Sequence, residues 1–157
     1  MAKIICGYSG IGKSYVARQM PEIVLDLESS NYDKSPGVWP NNYVDDIITY
    51  SKEFDDDHYI LCSCHEEVRK ELEKRKISFL IVAPKEDLLY EYSKRWYRRG
   101  SPISFIKKMQ LSWAVMHQSI HNHLTDKVAV ILLDKNEYVG DLILVSDKKK
   151  GRRKKNG

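Results

Sequence analysis

Long apolar runs are missing from this sequence. No stretch approaches 18 apolar residues, so no membrane-spanning helix is expected. The first residues, MAKIICGYSG, lack both the extended apolar segment and the small-residue cleavage site of a secretory leader. Cysteine is scarce and odd in number: Cys6, Cys62 and Cys64. A chain of this size does not need bridges to hold itself together, so reduced thiols in a cytoplasmic protein are the expectation. No internal repeat is visible. Acidic residues are absent from the last ten positions, KKKGRRKKNG, which hold seven of the 26 basic residues.

That last absence divides the chain. Residues 1–147 carry 19 basic and 22 acidic residues, so the net charge of +4 and the basic pI belong to the tail rather than to a nucleic-acid-binding surface on the fold. The expected organisation is one domain over 1–147 and a disordered basic tail over 148–157, because a segment without apolar residues cannot pack. The tail's charge would give weak, salt-dependent contact with nucleic acid or an acidic membrane surface, or serve only solubility. With 42% hydrophobic and 31% charged residues among 157, the body has enough apolar material for a core.

Strand-like and helix-like segments alternate along that body. Apolar runs of strand length occur at Lys3–Cys6, Glu22–Asp26, Tyr59–Cys64, Ile77–Ala83 and Val128–Leu133. Between them lie helical patterns at 15–20, 43–53, 65–76, 85–98 and 104–124. The last has Ile106, Met109, Trp113, Met116 and Ile120 on one stripe, as core packing requires. The strands are near-continuous apolar runs rather than period-two alternations. The predicted fold is therefore α/β, a five-stranded parallel sheet with helices on both faces.

Between the first strand and first helix stands GYSGIGKS, residues 7–14. Gly7, Gly12, Lys13 and Ser14 fit G-x-x-x-x-G-K-S. A loop that wraps a phosphate with inward N–H groups needs glycine at its corners, and the following helix points its positive end at the same anion. In this pattern Gly7, Tyr8, Ser9, Gly10, Ile11, Gly12, Lys13, Ser14 and Tyr15 surround the phosphates of ATP. Lys13 reaches the β- and γ-phosphates, and the Ser14 hydroxyl ligates Mg²⁺.

The order of motifs over about residues 3–143 resembles the small P-loop kinases, the nucleoside monophosphate kinase and shikimate/gluconate kinase group. The resemblance implies a P-loop NTPase fold with strand order 2-3-1-4-5, and an acceptor held beyond strand two. It also implies an arginine lid after strand four and an adenine-side loop after strand five. On matching positions, Asp26 and Glu28 become partners of the acceptor hydroxyl or of a Mg²⁺-bound water, or a base. Arg95, Arg98 and Arg99 become the lid that meets the transferring phosphoryl group, and Asn136 lies beside adenine. Short lid and basic tail are similar to P-loop nucleotide kinases often encoded by bacteriophages, which makes a deoxynucleoside monophosphate the preferred acceptor. One departure stands out: the third strand ends Cys62-Ser63-Cys64-His65, with no acid to hold Mg²⁺ through water.

The residues taken alone keep other readings open. Asp26 and Glu28 also suit loop solvation or capping. Trp39 and Tyr43, in the polar loop after strand two, would stack on an acceptor base or sugar, or pin the loop to the core. The three arginines also suit a solvated helix end. Cys62, Cys64 and His65 read as packing rather than a metal set. The pair His117/His121 reads as a solvated helix face, and Asp55–Asp57 as a solvated loop. The leading expectation is an ATP·Mg²⁺-dependent nucleotide kinase. Behind it stand a kinase of another small hydroxyl compound or of a nucleic-acid end or base, and a nucleotide-binding regulatory protein that transfers nothing. Oligomeric state has no signature in the sequence.

Overall fold

A computed structural model describes residues 1–123 and 128–144; the basic tail lies outside the described residues. Five strands form one parallel sheet: β1 (Lys3–Gly7), β2 (Val24–Asp26), β3 (Tyr59–Ser63), β4 (Phe79–Pro84) and β5 (Val128–Leu133). Their order is β2-β3-β1-β4-β5. The helices around the sheet are α1 (Lys13–Gln19), α2 (Asn41–Glu53), α3 (Glu66–Lys74), α4 (Leu89–Arg98) and α5 (Ile103–Asn122).

β1 sits at the centre, with Cys6 opposite Cys62 on one side and Ile81 on the other. Its residues Ile4, Ile5 and Cys6 are buried, as a strand covered on both faces requires. Cys6 and Cys62 face each other with sulfurs 3.5 Å apart, and all three thiols are free and buried. Burial pushes the Cys64 thiol up to about 11 and Cys6 well above its ordinary value, so both stay protonated at neutral pH.

The helices dock through the stripes that the sequence spacing predicts. α2 buries Tyr43, Val44 and Ile47; α3 buries Val68 and Leu72; α4 buries Tyr92 and Trp96; α5 buries Trp113 and Ile120. Tyr8, Tyr92, Trp96 and Trp113 form an aromatic knot, with Tyr8 edge-on to Trp113 at 5.5 Å between ring centres. Such edge contacts add to the area that each ring buries.

Several boundaries differ from expectation. β2 starts at Val24 rather than Glu22, because Pro21 opens a turn in which the N–H groups of Ile23 and Val24 both donate to the Met20 carbonyl. α4 is preceded by a short 3-10 turn, Glu86–Leu88, rather than running from Lys85. His117 is the clearest correction. It is buried, with its ring nitrogens 2.9 Å from the carbonyl oxygens of Trp113 and Pro84, and joins α5 to the end of β4 instead of facing solvent. Residues 139–144 form a further helical segment. Its buried Val139 and Ile143, four apart, are the signal that foretells it.

Because all five strands are parallel, the loops after them gather at one end of the sheet, where ligands of open α/β sheets bind. Tyr43 braces this end. Its hydroxyl donates to the Leu27 carbonyl at 2.6 Å and accepts from the Ser63 N–H at 3.0 Å, tying the exits of β2 and β3 together. Tyr43→Phe leaves both backbone groups without that partner. A loss of about 1–3 kcal/mol is expected, measured as a lowered urea midpoint at unchanged slope.

Candidate functional site: the glycine loop and its surroundings

The segment between β1 and α1 leaves the sheet with the Tyr8 N–H donating to the Val82 carbonyl. Gly10 and Gly12 have φ of +99° and +92°, in the region that favours glycine. At Gly10 a Cβ would also come within 3.1 Å of Tyr92 and 3.3 Å of the Trp96 indole nitrogen. The result is a loop whose hydrogen bonds run through few groups. Ile11 N–H donates to Tyr8 and Val16 N–H to Gly12. Among the described residues, the N–H groups of Ser9, Gly10, Gly12, Lys13 and Ser14 have no backbone acceptor. A row of backbone donors left free beside a cation is a site for an anion with several oxygens.

The cation is Lys13. It is half-buried and its Nζ folds back to donate to the carbonyls of Gly7 at 2.7 Å and Tyr8 at 3.3 Å. Burial pushes its pKa down, while the carboxylates of Asp26 and Glu28 and the nearby thiols oppose the shift. Ser14 points at Asp26, Oγ to Oδ2 3.4 Å. Asp26 is raised above the usual carboxylate range by burial, with Lys13 pulling it down and Glu28 pushing it up. Its other oxygen, Oδ1, is buried and has no hydrogen-bond partner. The Ser14 hydroxyl and the single Asp26 carboxylate, one oxygen of which is unsatisfied, are hard-oxygen donors of the kind that suits Mg²⁺ and its waters.

The outward side of the loop is held by α4. Trp96 Nε1 donates to the Ser9 carbonyl at 3.1 Å. Arg95 donates to the carbonyls of Gly10 at 3.0 Å and Lys135 at 2.6 Å. Its guanidinium lies 4.4 Å from the ring centres of both Tyr92 and Tyr138. Arg99 donates to Ser9 Oγ at 2.6 Å and to Ser101 Oγ at 3.0 Å. Burial lowers the Arg99 pKa, and Glu28 opposes that shift. The three arginines are therefore not a single cluster. Arg95 is engaged by backbone and rings, Arg99 stands at the loop, and Arg98 is exposed and lines the groove between α4 and α5.

The acceptor-side residues divide likewise. Glu28 is exposed at the exit of β2, close enough to Lys13, Asp26 and Arg99 to affect each. Tyr43 is fully buried and its hydroxyl is engaged. Trp39 stacks on Tyr43 at 5.2 Å and 19°, and its indole N–H donates to Glu67 at 3.1 Å. Lys34 lies 5.1 Å over the Trp39 ring. Of the two readings of this aromatic pair, pinning the loop to the core accounts for Tyr43. Trp39 stays half-exposed beside the site.

On the other side, Gly12, Tyr15, Val16, Gln19, Met20, Tyr138 and Gly140 line most of a cavity of about 690 Å³ beside the loop. Tyr15 is exposed at its rim. Asn136 is exposed on the 134–138 loop and does not line it.

Sequence reasoning passed over Lys34, Lys108 and Tyr138, and read His65 only as packing. His65 contacts Ser63 Oγ at 2.7 Å through Nδ1 and meets Trp39 edge-on at 5.5 Å. Burial lowers its pKa, Glu67 opposes, and the positive charges of Lys34, Lys108 and Lys13 add to the lowering. These cations come from three separate elements, so no local motif foretells them. Cys62, Cys64 and His65 do not gather as metal ligands. Among the described residues the only close set of such side chains is Asp55–Asp57, which is exposed.

Neither a family model nor a curated protein matches the chain. Among solved structures, it is similar to an uncharacterized protein from Eubacterium ventriosum ATCC 27560. The identity is 15% and the TM-score 0.45, over 95% of this chain and 97% of that one.

Arg95→Ala deletes two charge-assisted hydrogen bonds and a ring-to-ring sandwich. It is expected to cost about 2–4 kcal/mol and to speed amide exchange selectively at residues 9–12. Denaturant melts and hydrogen exchange check both.

Proposed function

We propose that the chain is an ATP-dependent phosphotransferase of the P-loop kinase type, moving the γ-phosphoryl group of ATP to a nucleoside monophosphate, with a deoxynucleotide preferred. The observation that carries this reading is the glycine loop: free N–H groups on a positive-φ backbone, with Lys13 beside them and Ser14 against Asp26. The parallel sheet, with the loop after its central strand, is consistent with the resemblance.

In this reading the N–H groups of Ser9, Gly10, Gly12, Lys13 and Ser14 cradle the phosphates of ATP. Lys13 exchanges its bonds to the Gly7 and Tyr8 carbonyls for phosphate oxygens. Ser14 and Asp26 would hold Mg²⁺, whose bound charge would neutralise the phosphate oxygens. Asp26 thereby fills the place left by the missing acid after β3. Tyr15 and the cavity beside it lie on the base side of ATP. Arg99, within reach of Ser9, meets the charge that develops on the transferring group. Arg95 contributes by fixing the loop. The acceptor lies between Glu28 and Trp39, where Glu28 orients its attacking oxygen and the charges of Lys34 and Lys108 favour an anionic acceptor. Sequestration by the loops at this end of the sheet excludes water from the transfer.

Lys13→Ala is expected to reduce transfer by at least a hundredfold, and Asp26→Asn to weaken Mg²⁺-dependent nucleotide binding about tenfold or more. The assay is ADP release with ATP and a panel of ribo- and deoxynucleoside monophosphates, sugars and oligonucleotide ends. Should ATP bind while no acceptor raises ADP release above background, transfer is refuted and a regulatory nucleotide-binding role stands. Full activity in Lys13→Ala would refute the loop assignment.

A further inference from the structure

The body of the chain is slightly acidic, yet one pair of helices carries a local excess of positive charge. Across residues 89–122, Lys94, Arg95, Arg98, Arg99, Lys107 and Lys108 stand against a single acid, Glu91. Glu91 is mostly buried and already faces Lys94 at 3.3 Å and Arg95 at 3.8 Å. Between α4 and α5 runs an open groove of about 470 Å³ lined by Ser93, Lys94, Tyr97, Arg98, Ile106 and Gln110. No acid lines it. A hydrogen bond from Gln110 Nε2 to Ser93 Oγ, 3.0 Å, links its two walls.

One exposed aromatic ring lines the groove and a second stands on the same helix. Tyr97 is 74% exposed at its wall, and Tyr90, 76% exposed, lies on the same helix with the Lys94 ammonium 4.8 Å over its ring. Neither ring is needed by the core. Cations that follow a groove, interleaved with exposed rings, are what single-stranded nucleic acid binds: phosphates meet the cations and unpaired bases stack on the rings. A duplex offers the phosphates but keeps its base faces stacked inside. The exposed apolar side chains of α5, Ile103, Leu111 and Val115, are not part of the groove lining, which offers a ligand Lys94, Arg98 and the Tyr97 ring instead.

We propose that the α4–α5 groove is a binding surface for single-stranded nucleic acid, with Lys94 and Arg98 on phosphates and Tyr97 stacked on a base. It does not depend on the phosphoryl-transfer reading. The surface is on the fold itself, distinct from the basic tail. Arg99, the residue after Arg98, is turned instead to Ser9 of the glycine loop.

The test is fluorescence anisotropy with a labelled 20-nucleotide oligo-deoxythymidylate and the full chain across a salt series. Binding should weaken steeply with salt. Tyr97→Ala should weaken it about tenfold. Lys94→Glu with Arg98→Glu should weaken it more, and flatten the slope of log affinity against log salt by about 1.4. A full-length chain with the seven tail cations changed to Gln should keep the sensitivity to the groove substitutions. All positions are exposed or partly exposed, and unchanged thermal melts confirm intact folds. The proposal is overturned if the groove variants bind like the parent or if tail neutralisation alone removes all binding. It is equally overturned if a blunt duplex binds as tightly, or if the parent ignores the oligonucleotide and the groove variants instead break a dimer.

Discussion

The carbonyls of Ser9 and Gly10 are the points on which the candidate site hangs. A glycine-rich loop has many conformations, and one that turns its N–H groups inward must turn its carbonyls outward. Those carbonyls need donors, since bare polar groups against a packed helix cost free energy. Trp96 and Arg95 supply the donors. Trp96 is fully buried in the aromatic knot with Tyr8, Tyr92 and Trp113, so the loop is fastened to the buried core. Arg95 carries the clamp onward to Lys135, beyond β5. The loops after β1 and β5 thus share restraints from one helix, α4.

This clamp explains why the cationic residues of one short segment serve different ends. In KRWYRRG, helical spacing turns consecutive cations to different directions. Arg95 faces the loop and the ring of Tyr92; Arg99 reaches Ser9 from the helix end; Lys94 and Arg98 face the α5 groove. A buried arginine elsewhere shows a similar economy. Arg69 is fully buried without an ion pair among the described residues. It donates to the Cys64 carbonyl and to Ser119, joining the end of β3 to α5. Hydrogen bonds to backbone and hydroxyl compensate its charge only in part, and one of its terminal nitrogens has no partner.

What the sequence made legible was periodicity and local chemistry. The apolar runs marked all five strands, and the spacing of Tyr92 with Trp96 and of Trp113 with Ile120 marked the buried faces of α4 and α5. GYSGIGKS marked the loop, because positive φ demands glycine at defined positions. Contacts between distant segments were not legible. Nothing near His117 announces that Pro84 supplies a carbonyl, so a buried histidine resembles an exposed one. Lys34 and Lys108 reach the surroundings of His65 only because the sheet order brings α5 and the loop after β2 to the same end. A sum of charge over residues 1–147 also says nothing of local excess: residues 89–122 hold six cations against one acid.

The clamp also bears on how this chain tolerates substitution over time. Trp96 and Arg95 grasp main-chain oxygens, which every residue type possesses, so neither contact constrains the side chain at position 9. Gly10 is different, held by its own φ and by the proximity of Tyr92 and Trp96. Drift in the loop is therefore permitted at some positions only while α4 stays fixed. Residues 10, 92, 95 and 96 should vary together or not at all. A lineage that lost Trp96 would be expected to have remodelled the loop as well, even with Gly12, Lys13 and Ser14 intact. Ancestry in such chains is better traced by that inherited pairing of helix and loop than by the glycine-lysine-serine signature alone.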